Sequence, residues 1–195
     1  DYCIHDVLMS GFAMMFFQDP SLLAFQRRLQ EKAQQNNISA IFNIGSIPKD
    51  TQLRDVIDEV PSEKLNEIFP KFIKALQRGR QLSQYKFIDE KYLVSIDGSE
   101  YFSSNKINCP HCLKTNSRKK ELRYHHQILQ AVIVKPGLRQ VLPLFPEAIQ
   151  NSDGTTKQDC EINAGKRILG KIRNAHPRLP LIIAGDGLYS KQPFL

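Results

Sequence analysis

One segment, Tyr92-Leu-Val-Ser-Ile-Asp97-Gly-Ser99, predicts the class of fold. It is apolar and rich in β-branched residues up to Asp97, and a second such run, Pro180-Leu-Ile-Ile-Ala-Gly-Asp186-Gly-Leu188, reaches another aspartate. Short apolar runs closed by glycine are typical of strands buried on both faces of a sheet. Each run is therefore predicted to be a strand with an aspartate at its carboxyl end. Asp-Gly after a strand is also a common turn, so either aspartate alone has a plain structural explanation.

The patterns around these runs predict a mixed sheet with one crossover helix. Strands are expected at 92–97, 124–134, 138–144 and 180–186, with a helix at about 157–175. If the first three strands form a meander, a right-handed crossover lays the last strand parallel to the first. Asp97 and Asp186 then share the sheet edge at which open α/β sheets bind ligands. This β-β-β-α-β order is ribonuclease-H-like, within an α/β class.

Two domains are predicted, a helical module at 1–90 and an incomplete ribonuclease-H-like domain at 91–195, so that the chain is α+β overall. Apolar spacing predicts two helices within 4–36, the second ending at Asn36-Asn37, and a short helix that ends near Val60. Another helix begins after Pro61, and Pro70 is expected to kink or break it. The helices around 48–80 are compatible with a DNA-binding helix-turn-helix, although such pairs more often serve packing alone.

The positive charge is concentrated in the second half of the chain. The net charge is +7, and residues 1–90 carry 11 Lys and Arg against 12 Asp and Glu, whereas residues 91–195 carry 16 against 8. A basic half that contains both aspartates suits a polyanionic partner such as nucleic acid, and a solvated basic surface is the plain alternative. The residues expected to contact phosphates are Arg118, Lys119, Lys120, Arg123, Lys166, Arg167, Lys171 and Arg173.

Cysteine usage and hydropathy predict a cytoplasmic protein with no membrane partner. The four cysteines are too dispersed for a disulfide scaffold, which favours a reducing compartment. The most apolar stretch, 7–17, has only 11 residues, too few to span a bilayer, and no signal-peptide pattern precedes it. The chain starts without Met and stops directly after a predicted strand, so both ends are expected to be cut.

A zinc site is a second hypothesis from the residues themselves. Cys109-Pro-His-Cys112 is followed by His125 and His126, which gives ligand types and a spacing compatible with zinc, and Cys160 offers a further thiol. A single Cys-x-x-Cys is a weak pattern, because free cysteines explain it equally well. His126 is otherwise an ordinary polar strand residue.

Four segments of the chain resemble DDE-type insertion-sequence transposases. They are Ile47-Pro-Lys-Asp-Thr-Gln-Leu-Arg-Asp-Val-Ile-Asp58, Ile96-Asp-Gly-Ser-Glu-Tyr-Phe-Ser-Ser104, Tyr124-His-His126-Gln127, and Lys157-Gln-Asp-Cys-Glu161 leading to Gly185-Asp-Gly-Leu-Tyr189. By this resemblance Asp97 and Asp186 match the first and second catalytic acids. The third acid of the family, a glutamate, would fall after Leu195. The chain is therefore expected to be an inactive front part of a transposase.

The resemblance implies nicking and transfer of DNA strands at insertion-sequence ends, with Asp97 and Asp186 as ligands of Mg²⁺ or Mn²⁺. Two metals held by carboxylates bind the scissile phosphate, which requires hard oxygen ligands of low pKa. The implied partner is double-stranded DNA at element ends and targets, in the nucleoid, with a homodimer on DNA as one assembly. The alternatives are a DNA-binding remnant without catalysis and an unrelated metal-dependent nuclease.

The first turn of the predicted crossover helix holds further candidate residues. Asp159 and Glu161 would stabilise the helix dipole there, which is the default explanation. The predicted topology also puts them at the sheet edge of Asp97, so they could orient a metal ligand or Lys157 from outside the coordination sphere.

Overall fold

A computed structural model describes residues 2–29, 32–116, 121–150 and 159–190, without the side chains of 32–35. The chain divides into two compact units, Asp1–Lys64 and Leu65–Leu195. In the described part, no helix is long and apolar enough to cross a membrane.

The first unit contains four helices: α1, Ile4–Phe16; α2, Leu22–Leu29; α3, Lys32–Phe42; and α4, Asp50–Asp58. Phe25, Ile38 and Phe42 lie in its buried core, which explains why α3 continues past Asn36-Asn37, where the sequence predicted an end. The Asp6 carboxylate accepts hydrogen bonds from the backbone N–H groups of Gly45 (3.2 Å) and Ser46 (2.9 Å), and so fixes the segment that follows α3.

The second unit begins earlier than residue 90 because α5, Ile68–Arg78, packs on the sheet. The rings of Phe69 on α5 and Phe145 on the sheet lie 5.9 Å apart. Pro70 occupies the first turn of α5, where proline is tolerated, so it does not kink the helix, and a 3-10 helix, Ser62–Glu67, precedes α5 instead. α4 belongs to the first unit and α5 to the second, so the two helices do not form a helix-turn-helix within either unit.

The sheet has five strands in the described residues, and one long helix lies between the fourth and the fifth strand along the chain. Their bounds are β1, Tyr92–Ser104; β2, Leu113–Asn116; β3, Leu122–Val134; β4, Leu142–Ile149; α6, Glu161–Ala175; and β5, Leu181–Ala184. β1 lies between β3, to which it is antiparallel, and β5, to which it is parallel. β2 and β4 pair antiparallel with successive stretches of β3, so the sheet is mixed.

The core of this unit lies between the sheet and α6. Every second residue of β1 up to Ile96 is buried, which matches a strand with one covered face. Ile168 and Ile172 of α6 pack against the same cluster as Val94 and Ile96. α6 therefore packs on the buried face of the sheet. Its first turn lies next to the point where the buried part of β1 ends.

The mixed α/β class is confirmed, whereas the strand order differs in detail from the prediction. β1 continues to Ser104 rather than ending at Asp97, and β2 was not predicted, so the described order is β-β-β-β-α-β. β4 begins four residues later than expected, and the crossover helix begins at Glu161 rather than near 157. The ribonuclease-H-like identity of the fold remains a prediction.

Candidate functional site

Asp97 and Asp186 occupy equivalent places on neighbouring strands. The parallel register pairs Ser95 of β1 with Ala184 of β5, and each aspartate follows two residues later. β5 ends at Ala184 while β1 continues, so both aspartates lie where the pairing of the two strands stops. Both side chains are exposed, and one Asp186 oxygen, Oδ1, accepts a hydrogen bond from the backbone N–H of Leu188 at 2.9 Å.

Tyr189 brings these aspartates into relation with a third acid. It belongs to the 3-10 helix Gly187–Ser190, and its buried ring packs so closely on Gly185 that a Cβ there would lie 2.6 Å from the ring. Burial raises the pKa of the Tyr189 hydroxyl to about 12, and the negative charges of Glu161, Asp186 and Asp97 add to this. The charges of three carboxylates from separate segments therefore act on one buried hydroxyl group.

Glu161 is the first residue of α6, and its position is fixed from two sides. Its carboxylate accepts a hydrogen bond from the side-chain amide of Gln127 on β3 and interacts with Tyr189. It also lies directly against Gly98, where an added Cβ would be 2.6 Å from Glu161 Oε1. The sequence placed Glu161 at this sheet edge, and the structure brings it together with the two aspartates, with Gly98 leaving the necessary space.

The acids suit Mg²⁺ or Mn²⁺ in chemical type, although they do not form a closed cage. Asp97 and Asp186 offer exposed oxygen ligands at one sheet edge. Within the described residues, however, just one group of three or more candidate ligands has all its ligand atoms within 4.8 Å of one another, and it contains no carboxylate. A metal shared by all three acids would thus require side-chain rotation, which is open to the exposed aspartates.

Asp159 is engaged elsewhere. Its carboxylate pairs with the Arg167 guanidinium (2.7 Å), which also lies 2.6 Å from the buried carboxylate of Glu147. Burial works to raise the pKa of Asp159, but the hydrogen bonds from Arg167 and from the Cys160 backbone outweigh it and lower the pKa below its usual value. Asp159 therefore ties the start of α6 to β4 through Arg167. Lys157 lies outside the described residues.

Of the five described basic residues predicted to contact DNA, four have partners within the protein, and Arg167 is one of them. Lys171 pairs with Glu147 (2.5 Å), Arg123 pairs with Glu100, and Arg173 donates to the carbonyl oxygens of Pro177 and Leu179. Lys166 is exposed and has no hydrogen-bond or ion-pair partner among the described residues. Arg118, Lys119 and Lys120 fall outside the described part of the chain.

A second cluster, the thiol–imidazole cluster, consists of Cys109, Cys112 and His126. The two Sγ atoms are 3.6 Å apart, and each lies 3.3 Å from Nε2 of His126. These three side chains form the one ligand group noted above. His125, which the sequence also proposed, is not part of it: it precedes His126 on β3 and so points to the other face of the strand.

The thiol–imidazole cluster borders an open pocket of about 510 Å³, which Tyr101, Phe102 and Ile107 also line. The ring of Tyr101 stacks on His126 with centroids 5.8 Å apart, and Phe102 contacts the same ring at 5.7 Å. Cys112 is buried, which raises the pKa of its thiol. Cys160, the further thiol considered from the sequence, is exposed and does not belong to the cluster.

Sequence reasoning missed Gln127 and Tyr189, which orient Glu161. Their signal was that Gln127 and Tyr189 end two of the segments that resemble the transposases, directly after His126 and the Asp186 turn. The structure thus presents two separate sets of ligand groups, hard carboxylate oxygens at the end of β5 and soft sulfur with imidazole nitrogen beside β2. Comparisons with models of protein families, with curated proteins and with solved structures find no match to this chain.

Proposed function

We propose that the protein is a metal-dependent DNA-cleaving and strand-transferring enzyme of the DDE transposase type, with Asp97 and Asp186 as ligands of Mg²⁺ or Mn²⁺. The observation that carries the proposal is that Asp97 and Asp186 follow the last paired residues of β1 and β5, and that Glu161 lies directly against Gly98, the neighbour of Asp97. Carboxylate oxygens at one exposed sheet edge offer the hard ligands that Mg²⁺ and Mn²⁺ prefer. Titratable groups gathered in this way mark candidate functional sites.

Each residue has a definite part in this proposal. Bound metal would polarise the scissile phosphate and activate a water molecule or a 3′-hydroxyl group. Asp97 and Asp186 would supply exposed oxygen ligands from neighbouring strands. Gln127 and Tyr189 would hold Glu161 beside them, as a third ligand or as a group that orients one.

The sheet supports the ribonuclease-H-like part of the proposal. β1, β3 and β4 are antiparallel neighbours, and α6 then leads to β5, which lies parallel to β1. In this interpretation β2 is an addition between the first two strands of the common order. The carboxyl end of a parallel strand pair is also where ligands bind in open α/β sheets.

Metal binding tests the ligand roles directly. Asp97→Asn and Asp186→Asn keep the shape of the side chain and remove its charge, so each should weaken Mn²⁺ binding measured by calorimetry or electron paramagnetic resonance. Asp89→Asn is the matched control, because Asp89 is exposed, lies outside the site and has a φ of 49°, which asparagine tolerates. Equal Mn²⁺ affinity in all three variants and the unmodified chain would refute the ligand assignment.

Strand cleavage tests the activity and the role of Glu161. Nicking of supercoiled DNA in Mn²⁺ that is lost in Asp97→Asn and in Glu161→Gln, but kept in Asp89→Asn, would identify Glu161 as the third acid. Mn²⁺ binding without nicking would show that the three acids are insufficient in this chain. One other candidate is a DNA-binding protein without catalysis, because the ligand atoms of the three carboxylates do not all lie within 4.8 Å of one another. Duplex binding with neither metal affinity nor nicking would support it, and nicking without strand transfer would indicate an unrelated nuclease.

A further inference from the structure

We propose that Cys109, Cys112 and His126 bind a zinc ion that fastens the connection between β1 and β2 to β3, with a fourth coordination position that faces the neighbouring pocket. This site is separate from the carboxylates and does not depend on the proposed function. It would make the chain a zinc protein whether or not it cleaves DNA.

The distances between the ligand atoms agree with one face of a zinc tetrahedron. Zinc lies about 2.3 Å from a thiolate sulfur and about 2.0–2.1 Å from an imidazole nitrogen, so tetrahedral geometry separates two sulfurs by about 3.8 Å and sulfur from nitrogen by about 3.5 Å. The corresponding separations are 3.6 Å between the sulfurs and 3.3 Å from each sulfur to Nε2 of His126. The three atoms are therefore within a few tenths of an ångström of the separations that a bound zinc ion requires.

Hydrogen bonds explain the same geometry less well. Nε2 of His126 carries either one proton or one lone pair, so it can make one good hydrogen bond, whereas the two thiols lie at equal distances from it. A single ion at the centre satisfies all three atoms together. The backbone N–H of Cys109 also donates to Sγ of Cys112 at 3.3 Å, and such a donor stabilises a thiolate.

The position of the cluster in the fold gives the ion a structural role. Residues 105–112 connect β1 to β2 without pairing in the sheet, and β2 itself has only four residues. His126 lies within β3, which is paired on both sides. Zinc would therefore tie an irregular segment to the most firmly held strand. Tyr101 and Phe102 shield the imidazole, and the pocket leaves room for water or an outside ligand at the fourth position.

Metal analysis of substituted chains tests this site. The full chain, produced with zinc and purified under reducing conditions without chelator, should hold about one zinc per molecule. Cys109→Ser, Cys112→Ser and His126→Ala should each lose it. His111→Ala and Cys3→Ser are matched controls that should retain it, because both residues are exposed and lie outside the cluster.

Cobalt substitution keeps the test decisive if a variant fails to fold. Co²⁺ in the unmodified chain should show the visible bands of tetrahedral cobalt and thiolate charge transfer in the near ultraviolet, and His111→Ala should leave both unchanged. The proposal is overturned if the reduced chain binds neither metal, if it contains a Cys109–Cys112 disulfide under these conditions, or if His125→Ala releases zinc while His126→Ala retains it. Asp97→Asn should keep its zinc, which separates this result from the test of the carboxylates.

Discussion

At the scale of single residues, Tyr189 is the most informative position in the second unit. Its ring is part of the buried core, and the charges of three carboxylates act on its hydroxyl group. The sequence indicated Asp97 and Asp186, because an aspartate after an apolar strand is a local pattern. It could not indicate Tyr189 or Gln127, because their roles depend on α6 and β3 meeting at the end of β1, which is a tertiary arrangement.

The first prediction is that Tyr189→Phe lowers stability at neutral pH but not at high pH. Phenylalanine keeps the ring and removes the hydroxyl group with its interaction with Glu161, which costs about 1 kcal/mol. The pKa of Tyr189 in the folded protein, about 12, exceeds its ordinary value of 10.0. The contribution of this hydroxyl group to the free energy of unfolding is therefore fully present below pH 10 and is lost as the pH rises towards 12. The variant lacks this loss. Urea unfolding curves of the two proteins should therefore converge above pH 10, and a constant difference would contradict the assignment.

The second prediction is that Gly98→Ala displaces Glu161. An alanine Cβ would lie 2.6 Å from Glu161 Oε1 and 2.9 Å from Gln127 Nε2, so the glutamate must swing away. The lost hydrogen bonds should lower the free energy of unfolding by about 1 kcal/mol.

Gly170→Ala is the control for this substitution. Gly170 lies inside α6 and no described atom is within 4 Å of its added Cβ, so alanine there should raise stability by about 0.5–1 kcal/mol. Thermal unfolding of both variants checks the pair. If the two substitutions have equal effects, Gly98 does not serve to admit Glu161.

At the scale of elements, the apolar runs of the sequence predicted which parts of the strands are buried. They predicted the ends of the strands less accurately. β1 was expected to be buried on both faces and to end at Asp97, where its apolar run ends. In the structure only every second residue up to Ile96 is buried, and the strand continues to Ser104 as an exposed ribbon paired with β3. β4 was expected at 138–144, yet it extends to Ile149 and so contains both Pro143 and Pro146. Its described pairing is with β3 alone, and proline is tolerated in a strand that pairs on one side. β2 is too short, with one buried residue, to leave a pattern.

The third prediction concerns the ion pairs that join β4 to α6. Glu147 is buried and lies between Arg167 and Lys171, so Glu147→Gln leaves two cations without their anion. Breaking a fully buried pair costs about 3–5 kcal/mol. Both cations are partly exposed to solvent, which screens them, so we expect a loss nearer about 1–3 kcal/mol. Urea unfolding measures it.

Glu100→Gln provides the comparison for Glu147→Gln. It removes the partner of Arg123 at a more exposed site, where a pair contributes about 0–1 kcal/mol. If the loss for Glu147→Gln is no larger than that for Glu100→Gln, the network does not hold α6 on β4.

At the scale of the whole molecule, the two units differ more in net charge than the two domains predicted from the sequence, which were divided at residue 90. Residues 1–64 carry 6 Lys and Arg against 9 Asp and Glu, whereas residues 65–195 carry 21 against 11. The first unit is thus net negative and the second strongly positive. A polyanionic partner should be drawn to the second unit, which also contains the carboxylates.

The fourth prediction is that duplex DNA binding is dominated by the second unit and falls steeply with salt. Fluorescence anisotropy should give a linear decrease in log affinity with log salt concentration, and Lys166→Ala should reduce the slope by about 0.9, the contribution of one phosphate contact. Arg54→Ala, an exposed cation of the first unit, should leave the slope unchanged. Affinity that is insensitive to salt, or that depends on Arg54 and not on Lys166, would contradict this.

The parallel pairing of β5 with β1 also sets an order of folding. Ser99 pairs with Ile128 on β3, which is close along the chain. Ser95 pairs with Ala184 on β5, and this separation along the sequence is about three times as long. Tripling the loop adds about 1 kcal/mol of closure entropy, and such distant contacts form slowly. β1, β3 and β4 can therefore assemble before β5 pairs with β1 and brings Asp186 to the sheet edge. The two aspartates come together only when folding is nearly complete, so a partly folded or nascent chain lacks the paired acids that cutting DNA would require.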